Sequence, residues 1–493
     1  MEVAASQFFH PVGHGTFLTG VAWSPTGEAS FTWAYDCGSK RRTLTSAAIR
    51  DLSESGRYLI ESKTKRFDLL VLSHFDDDHV NGVELFLETW SVKWLALPFL
   101  DLPARLAQAA GLVGGPCSDS TALFQIAPTK WLASRGLSQQ VETVLQVNGG
   151  PPPDDQGNPD EIPGEPRPFP KEGDNVEGDG EYRPILERYR PLSNGKSTDL
   201  NEKVQPSTAP SNADDHAMAT LSHSTPFSAV GGGIEFMFYN SDQPDVSVVN
   251  SKGERAARRS KVALTQVEVE IEDIVKRYRI GVPGGKPKPN WREELRKIYD
   301  RHFGSSGIAR NNISLCLMSR LVTFSEDLCA RCSRNGQPRC VCVSASLMLG
   351  DLKVDSATSS SMRRHFGEHR WIRLAAVQVP HHGSQHSWEI GSASTFDAQM
   401  YVQCVPDVSP YHPHKTVEVD LASDVVKTAN YQKGVHLLMV GGTSLGVHFK
   451  HEEVFRHPHY GSWPWHWHWP RNRYLIWDYV RWLLGIRVSP PTS

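Results

Sequence analysis

The densest group of metal-binding side chains in the chain is Ser73-His-Phe-Asp-Asp-Asp-His79, which puts His74, Asp76, Asp78 and His79 within six residues. Imidazole and carboxylate are good ligands for zinc and manganese. On an extended loop alternate side chains share a side, so His74 and Asp76 are expected to converge on one ion, with Asp78 and His79 turning toward a second. Two divalent ions close together can activate a water and clamp a phosphate or carbonyl. The competing reading is a solvated acidic turn with incidental histidines. The segment in front favours a site: Asp68-Leu-Leu-Val-Leu-Ser73 is a continuous apolar run, the mark of a strand buried on both faces.

The elements that must hold this loop can be read on either side of it. Thr16 to Ala22 and Ala29 to Tyr35 are short β-prone runs around the turn Ser24-Pro-Thr-Gly27. Val80 to Thr89 reads as a helix, with Val83, Leu85, Phe86 and Leu87 as its apolar side. Residues 1–146 therefore form one half of a domain. Residues 147–230 are mostly rich in Pro, Gly, Asp, Glu and Ser, and are expected to be a largely disordered insertion. Core-like sequence returns over residues 231–450, beginning with the strand-like Gly233-Ile-Glu-Phe-Met-Phe-Tyr239. This half carries a charged, helical insertion at about 255–303. Ile313 to Met318 and Val341 to Leu349 look like a strand pair, and Leu374 to Val379 like a further strand. Residues 451–493 form a His- and Trp-rich tail that ends in an amphipathic helix.

Composition sets the outer bounds. A chain of 493 residues suits one domain with insertions, and 39% hydrophobic residues can fill a sizeable core. The formal net charge of −3 gives no global attraction to nucleic acid, so such contact needs a local patch. Arg255 to Lys261 is one basic run, more simply read as a solvated face. There is no secretory leader pattern and no apolar stretch of membrane-spanning length, so a cytoplasmic protein is expected. Four of the eight cysteines fall in one short segment, which favours metal binding over a disulfide framework.

Taken in order, the motifs resemble a known family. His74-Phe-Asp-Asp-Asp-His79 is similar to the His-x-His-x-Asp-His motif of metallo-β-lactamase-fold hydrolases, with Asp76 in place of the second His. That variant resembles the metallo-β-lactamase-like domain of DNA-uptake competence proteins. Val12-Gly-His-Gly15 resembles the family's Val-Gly-Gln-Gly, and Tyr35-Asp-Cys-Gly38 its early strand-end Asp-x-Gly. Asn311-Asn-Ile-Ser-Leu315, Leu349-Gly-Asp-Leu352, Val377-Gln-Val-Pro-His-His-Gly-Ser384 and Tyr411-His-Pro-His414 resemble later segments, in family order.

The resemblance implies an αββα sandwich, α/β in class, with two divalent ions, Zn or Mn, at one edge. It implies hydrolysis by a metal-bound hydroxide of a phosphodiester, in DNA or another nucleotide substrate. It assigns His74, Asp76, Asp78, His79, Asp351 and His381 as metal ligands, with Asp351 bridging and Asp36 supporting the loop. Adjacent side chains on extended backbone diverge, so His381 is taken as the ligand and His382 as the proton donor or substrate contact. Asp78 orients the nucleophile, and His412 and His414 reach the substrate. Relatives use a further His as third ligand of the first metal. Only His216 and His223 lie between His79 and the strand at Gly233, and neither is assigned to that role.

Two other segments invite chemistry. Cys329-x-x-Cys332 and Cys340-x-Cys342 can wrap one structural zinc, or be four free thiols. The tail around His457 to Pro470 can stack on bases, pack on its own core or dock a protein partner. Two other classes compete with the phosphodiesterase. One is a hydrolase of the same fold acting on a lactone, thioester or β-lactam. The other is a non-catalytic partner-binding module.

Overall fold

A computed structural model of the chain describes residues 3–23, 30–55, 65–99, 106, 109, 119–149, 217–230, 233–240, 248–249, 255–256, 261–279, 290–303, 314–321, 344–406, 409, 411–442 and 446–456. The four clustered cysteines, residues 150–216 with His216, and the aromatic tail lie outside these residues. Among the described residues no helix is long and apolar enough to cross a membrane.

The protein is mixed α/β, built on two mixed sheets. The nine-stranded sheet runs in the order Gly446–Arg456, Lys433–Gly442, Val3–Phe9, Leu18–Trp23, Ser30–Tyr35, Arg66–Val71, Ser91–Pro98, Val141–Asn148, Ala217–Ser222. Its first five strands pair antiparallel, and from Ser30–Tyr35 onward neighbours run parallel. The seven-stranded sheet runs Val426–Ala429, Met400–Cys404, Leu374–Gln378, Ala345–Met348, Cys316–Leu321, Ile234–Tyr239, Phe227–Ala229. Here the first four are parallel and the rest antiparallel.

Three apolar cores explain the layering. Trp33, Leu69 and Val71 from the larger sheet pack with Phe236, Leu317 and Val402 from the smaller, so the sheets share a core. The opposite face of the larger sheet presents Leu70, Leu95 and Val144 to helices Arg42–Ser55, Val83–Thr89, Asp119–Ile126 and Pro128–Ser134. The outer face of the smaller sheet presents Met318, Leu347 and Val377 to helices Ser356–Phe366 and Ser392–Phe396. Strands buried on both faces carry apolar residues at every position, as Arg66–Val71 and Leu374–Gln378 largely do.

Two boundaries differ from those expected. The Pro- and Gly-rich segment is expected to begin at Val147 and end at Val230, yet Val141–Asn148 and Ala217–Ser222 pair in parallel at its two ends. Phe227–Ala229 is also a strand. β-pairing with a neighbour decides these ends, and local composition does not report it. The second insertion is helical as expected, at Lys261–Arg277 and Trp291–Phe303. It is more than an ornament: Val267, Ile271, Ile274, Trp291, Leu295 and Ile298 are buried in the outer core of the larger sheet. Their spacing of three and four residues is that of one helix face.

Candidate metal centre

The loops that carry the expected ligands all leave the same edge of the molecule. Tyr35 pairs with Val71 in parallel, so Asp36 and the Ser73–His79 loop emerge side by side. Phe9 lies opposite Leu18, and Leu18 opposite Tyr35, which brings the connecting loop with His14 to that edge too. In the smaller sheet, parallel pairing of Leu347 with Val377 and of Gln378 with Val402 aligns the exits toward Asp351, His382 and His412. The edges are stitched together: Leu315 N donates to Ser73 O at 2.7 Å, and Tyr35 Oη donates to Leu315 O at 2.9 Å. Loops after parallel strands are the usual place for ligand sites in open α/β sheets.

Two groups of three potential ligands result. In each, the ligand atoms lie within 4.8 Å of one another: His74, His79 and Asp351 in one, His14, Asp78 and His382 in the other. This grouping differs from that expected, in which His79 and Asp78 share an ion. Residues Asp77–Val80 form one helical turn, and consecutive helical side chains diverge by about 100°. Asp78 and His79 therefore face different groups. Asp76 stands just before that turn with extended backbone; its Oδ2 is 3.8 Å from His74 Nε2, outside either group of three.

The imidazoles of the first group are fixed by their far nitrogens. Asp36 is fully buried at the strand end, with φ of 53°. Its carboxylate accepts from Ser73 N at 2.6 Å, Ser73 Oγ at 2.7 Å and His79 Nδ1 at 2.7 Å. A carboxylate only accepts, so His79 carries its proton on Nδ1. Ser73 Oγ, having donated to Asp36, accepts from His74 Nδ1 at 2.9 Å. Both Nε2 atoms are thereby turned toward Asp351, at 3.5 Å from Oδ2 for His74 and 3.1 Å from Oδ1 for His79. This is the outer support that metal-ligating histidines commonly have.

In the second group His382 Nδ1 donates to Cys404 O at 2.7 Å, which again frees Nε2. His382 Nε2 lies 3.5 Å from Asp78 Oδ2, and His14 Nε2 lies 3.7 Å from the same oxygen. The His14 and His382 rings stand 4.4 Å apart between centroids. By its motif His14 matches the family's glutamine, which does not mark it as a ligand. A single His in a glycine loop has no spacing signal of its own, and only the hairpin register brings it here.

His381 is the expected ligand of the pair, yet His382 is the one that joins a group of three. His382 is buried and belongs to a group of three; His381 is not in one, although its Nε2 comes within 3.6 Å of Asp351 Oδ2. The premise of extended backbone fails here, since both residues are left-handed, with φ of 47° and 56°. His412 also adjoins the centre, with its ring 5.3 Å from His14 and 6.3 Å from His381. His414 has other work: its Nδ1 accepts from Thr416 N and caps helix Lys415–Asp420. His223 is likewise elsewhere, accepting from Asn240 N and packed against Tyr239 and His365.

Buried polar atoms normally find hydrogen-bond partners. Here His74 Nε2, His79 Nε2, His382 Nε2 and Asp351 Oδ1 have none, although all are buried and all face the two groups. The short approach of His79 Nε2 to Asp351 Oδ1 is not aligned as a hydrogen bond. The charges tell the same story. Burial opposes the charge on Asp351, but His79 and His74 overcome it and hold the carboxyl well below the usual range. Burial likewise opposes charge on Asp78, and His382 and His79 lower it. Burial also opposes a proton on His79, yet Asp351 and Asp36 raise it well above an ordinary imidazole. Burial and the neighbouring His382 push His14 down to about 3. Without a metal, protons on the imidazoles balance these carboxylates, and divalent cations could take the place of those protons at the inner nitrogens. A pair of divalent cations with nitrogen and oxygen ligands fits that exchange.

Two further residues set the spacing. Gly350 has φ of 56°, and a Cβ there would come within 2.7 Å of Ser73 Cβ and Ser314 Oγ, so a side chain cannot stand between the two sheets at Asp351. Asp351 N instead donates to Ser314 Oγ at 2.9 Å. Gln378 is buried and bridges the loops: its Oε1 accepts from Leu349 N and Gly350 N, and its Nε2 donates to Thr16 Oγ1 at 3.1 Å. Comparison with known proteins finds no family model and no curated protein that matches this chain.

Proposed function

We propose that the protein is a two-metal hydrolase of the metallo-β-lactamase αββα type, acting on phosphodiesters. The observation that carries this reading is the pair of groups His74/His79/Asp351 and His14/Asp78/His382, with buried, unpartnered Nε2 atoms facing two carboxylates. Sheets with a common core and helices on both outer faces support the architecture. The ordered motifs, with Asp76 in the place of a second His, support the phosphodiester substrate.

Divalent ions bound in such a centre lower the pKa of water and stabilise negative charge on substrate oxygens. Asp351 presents Oδ1 toward His79 and Oδ2 toward His74, so these three residues would together hold an ion in the first group. Asp36, through His79 and Ser73, keeps the first group aligned. Asp78 binds on the second side and can orient a water there. His412 is neutral near pH 7, because burial and the neighbouring His382 and His381 bring it down to about 4. Its Nδ1 is buried without a hydrogen-bond partner and could hydrogen-bond a substrate oxygen.

The test is metal content and turnover of purified wild type, Asp78→Ala and Asp351→Ala. Substrates are single- and double-stranded DNA, RNA, cyclic nucleotides and a chromogenic β-lactam. Wild type should carry two Zn or Mn ions per chain and cleave a phosphodiester, and both variants should lose that activity. Full activity in both would sink the two-metal centre. Cleavage of the β-lactam alone would move the assignment to another hydrolase of this fold, and cleavage of nothing by metal-loaded protein would favour the binding module.

A further inference from the structure

Beside the centre runs Ser39-Lys40-Arg41-Arg42, whose three basic side chains are all exposed. Among the described residues none of the three pairs with a carboxylate. The segment is fastened to both ligand loops. Lys40 N donates to His14 O at 2.7 Å, and Ser39 Oγ donates to Val12 O at 2.7 Å. On the other side Asn81 Nδ2, two residues beyond His79, donates to Ser39 O at 2.6 Å. Arg41 is held as well: its guanidinium lies 4.2 Å from the centroid of the Tyr431 ring. That ring in turn lies on Gly13, where any Cβ would come within 2.0 Å of it. Helix Arg42–Ser55, which starts here, has no acidic residue in its first turn to neutralise the run.

A row of cations without carboxylate partners, its backbone tied beside a cation-binding centre, is unfavourable on its own. It becomes favourable when a polyanion spans both. Lys40 stands beside the centre, because its backbone is bonded directly to the His14 loop. A guanidinium seated over an aromatic ring can keep its fork of donors free, and that fork matches phosphate oxygens.

We propose that Lys40 and Arg41, with Arg42 behind them, form a subsite for a second phosphate next to the one at the metal centre. The substrate is then an oligonucleotide chain, and isolated phosphodiesters and cyclic mononucleotides are poor substrates. This rests on the phosphodiesterase reading and adds to it a specificity that the centre alone does not supply.

The experiment compares wild type with the double variant Lys40→Glu/Arg41→Glu on a short oligothymidylate and on bis(p-nitrophenyl) phosphate, which has a single phosphate. The variant should raise KM for the oligothymidylate by at least about tenfold more than KM for the small ester, with kcat moving little. The salt dependence of log KM should flatten by roughly 0.7, the value for one lost phosphate contact on a single strand. Lys40→Arg/Arg41→Lys should restore most of the preference. Equal effects on both substrates, or none on either, would overturn the subsite. Anisotropy of a labelled oligothymidylate in EDTA tests it without turnover: weaker binding to the charge-reversed variant supports it, and equal binding refutes it. Oligothymidylate that binds wild type but is not cleaved with Zn or Mn present would instead count against the phosphodiesterase reading.

Discussion

Glu235, Arg320 and Arg370 cluster on the smaller sheet, much as His79, Asp36 and Asp351 cluster where loops of the two sheets meet. Arg320 lies directly across from Glu235 in the antiparallel pair. Glu235 Oε1 accepts from Arg370 Nε at 2.8 Å and Arg320 Nε at 3.2 Å, and Oε2 accepts from Arg370 Nη2 at 3.0 Å. Arg370 Nη1 spends its remaining capacity on Phe366 O. Here donors and acceptors meet one another. At the other cluster the same kinds of groups meet on their outer sides, through Asp36, Ser73 and Cys404, while their inner atoms converge without bonding. Charge that closes on itself is structural. Charge that is held rigidly and left open inward is built for something to enter.

That contrast can be broken most severely at the open cluster. His79→Ala should cost activity on the order of 10³-fold, the equivalent of several kcal/mol of charge stabilisation. It should also reduce zinc content, measured by mass spectrometry, while the fold persists in circular dichroism. At the closed cluster the loss should appear in stability. Glu235→Gln strands two guanidiniums and should destabilise by about 3–5 kcal/mol in urea, with metal content per folded chain retained. Acid should find the same weak point. Burial would raise the Glu235 carboxyl, but Arg320 and Arg370 bring it down to about 2 from 4.5. A lowered folded value means a contribution that is full above about 4.5 and lost as pH falls toward 2. Urea midpoints across that window should drop in wild type and stay flatter in Glu235→Gln.

The third expectation separates the clusters by ligand. Zinc at about 100 times its Kd should stabilise wild type by roughly 2.7 kcal/mol, seen as a higher thermal midpoint that EDTA reverses. Glu235→Gln should keep that increment and His79→Ala should lose most of it. An increment of equal size in His79→Ala would mean that zinc binds elsewhere. The smallest effect belongs to the outer support. Asp36→Asn should weaken zinc binding by about 10- to 100-fold in calorimetry, and activity at saturating zinc should recover in part.

Much of the open cluster is legible in the sequence because its ligands come after strands that announce themselves. Asp68 to Val71 is apolar enough to be read as buried, and the loop beyond it is dense in His and Asp. Asp351 and the His381–His382 pair stand out by motif order. The rest of the site depends on backbone geometry and on register. His14 becomes a neighbour of Asp78 only through two antiparallel pairings. His382 takes the inner position because the backbone there is left-handed, which no composition reports. His414 fits a substrate-facing motif, while its ring nitrogen caps a helix. The basic run at Lys40 is three exposed charges in a row, with no signal of its own. The closed cluster is invisible for a similar reason: Glu235, Arg320 and Arg370 are far apart in the chain and share no spacing.

Gln378 has a consequence for how this edge moves. Its strand, Leu374–Gln378, lies inside the smaller sheet with a parallel partner on each side. The side-chain amide ends one bridge at the backbone of Leu349 and Gly350, and another at Thr16. Opening the ligand loops by a local fluctuation would therefore have to break side-chain bonds anchored in the middle of a sheet. Amide hydrogens at Leu349 and Gly350 should exchange with solvent only when the whole domain unfolds, placing the loops that hold Asp351 among the slowest parts of the molecule. Larger motions then fall to the outer segments, while the side chains of the two groups keep still.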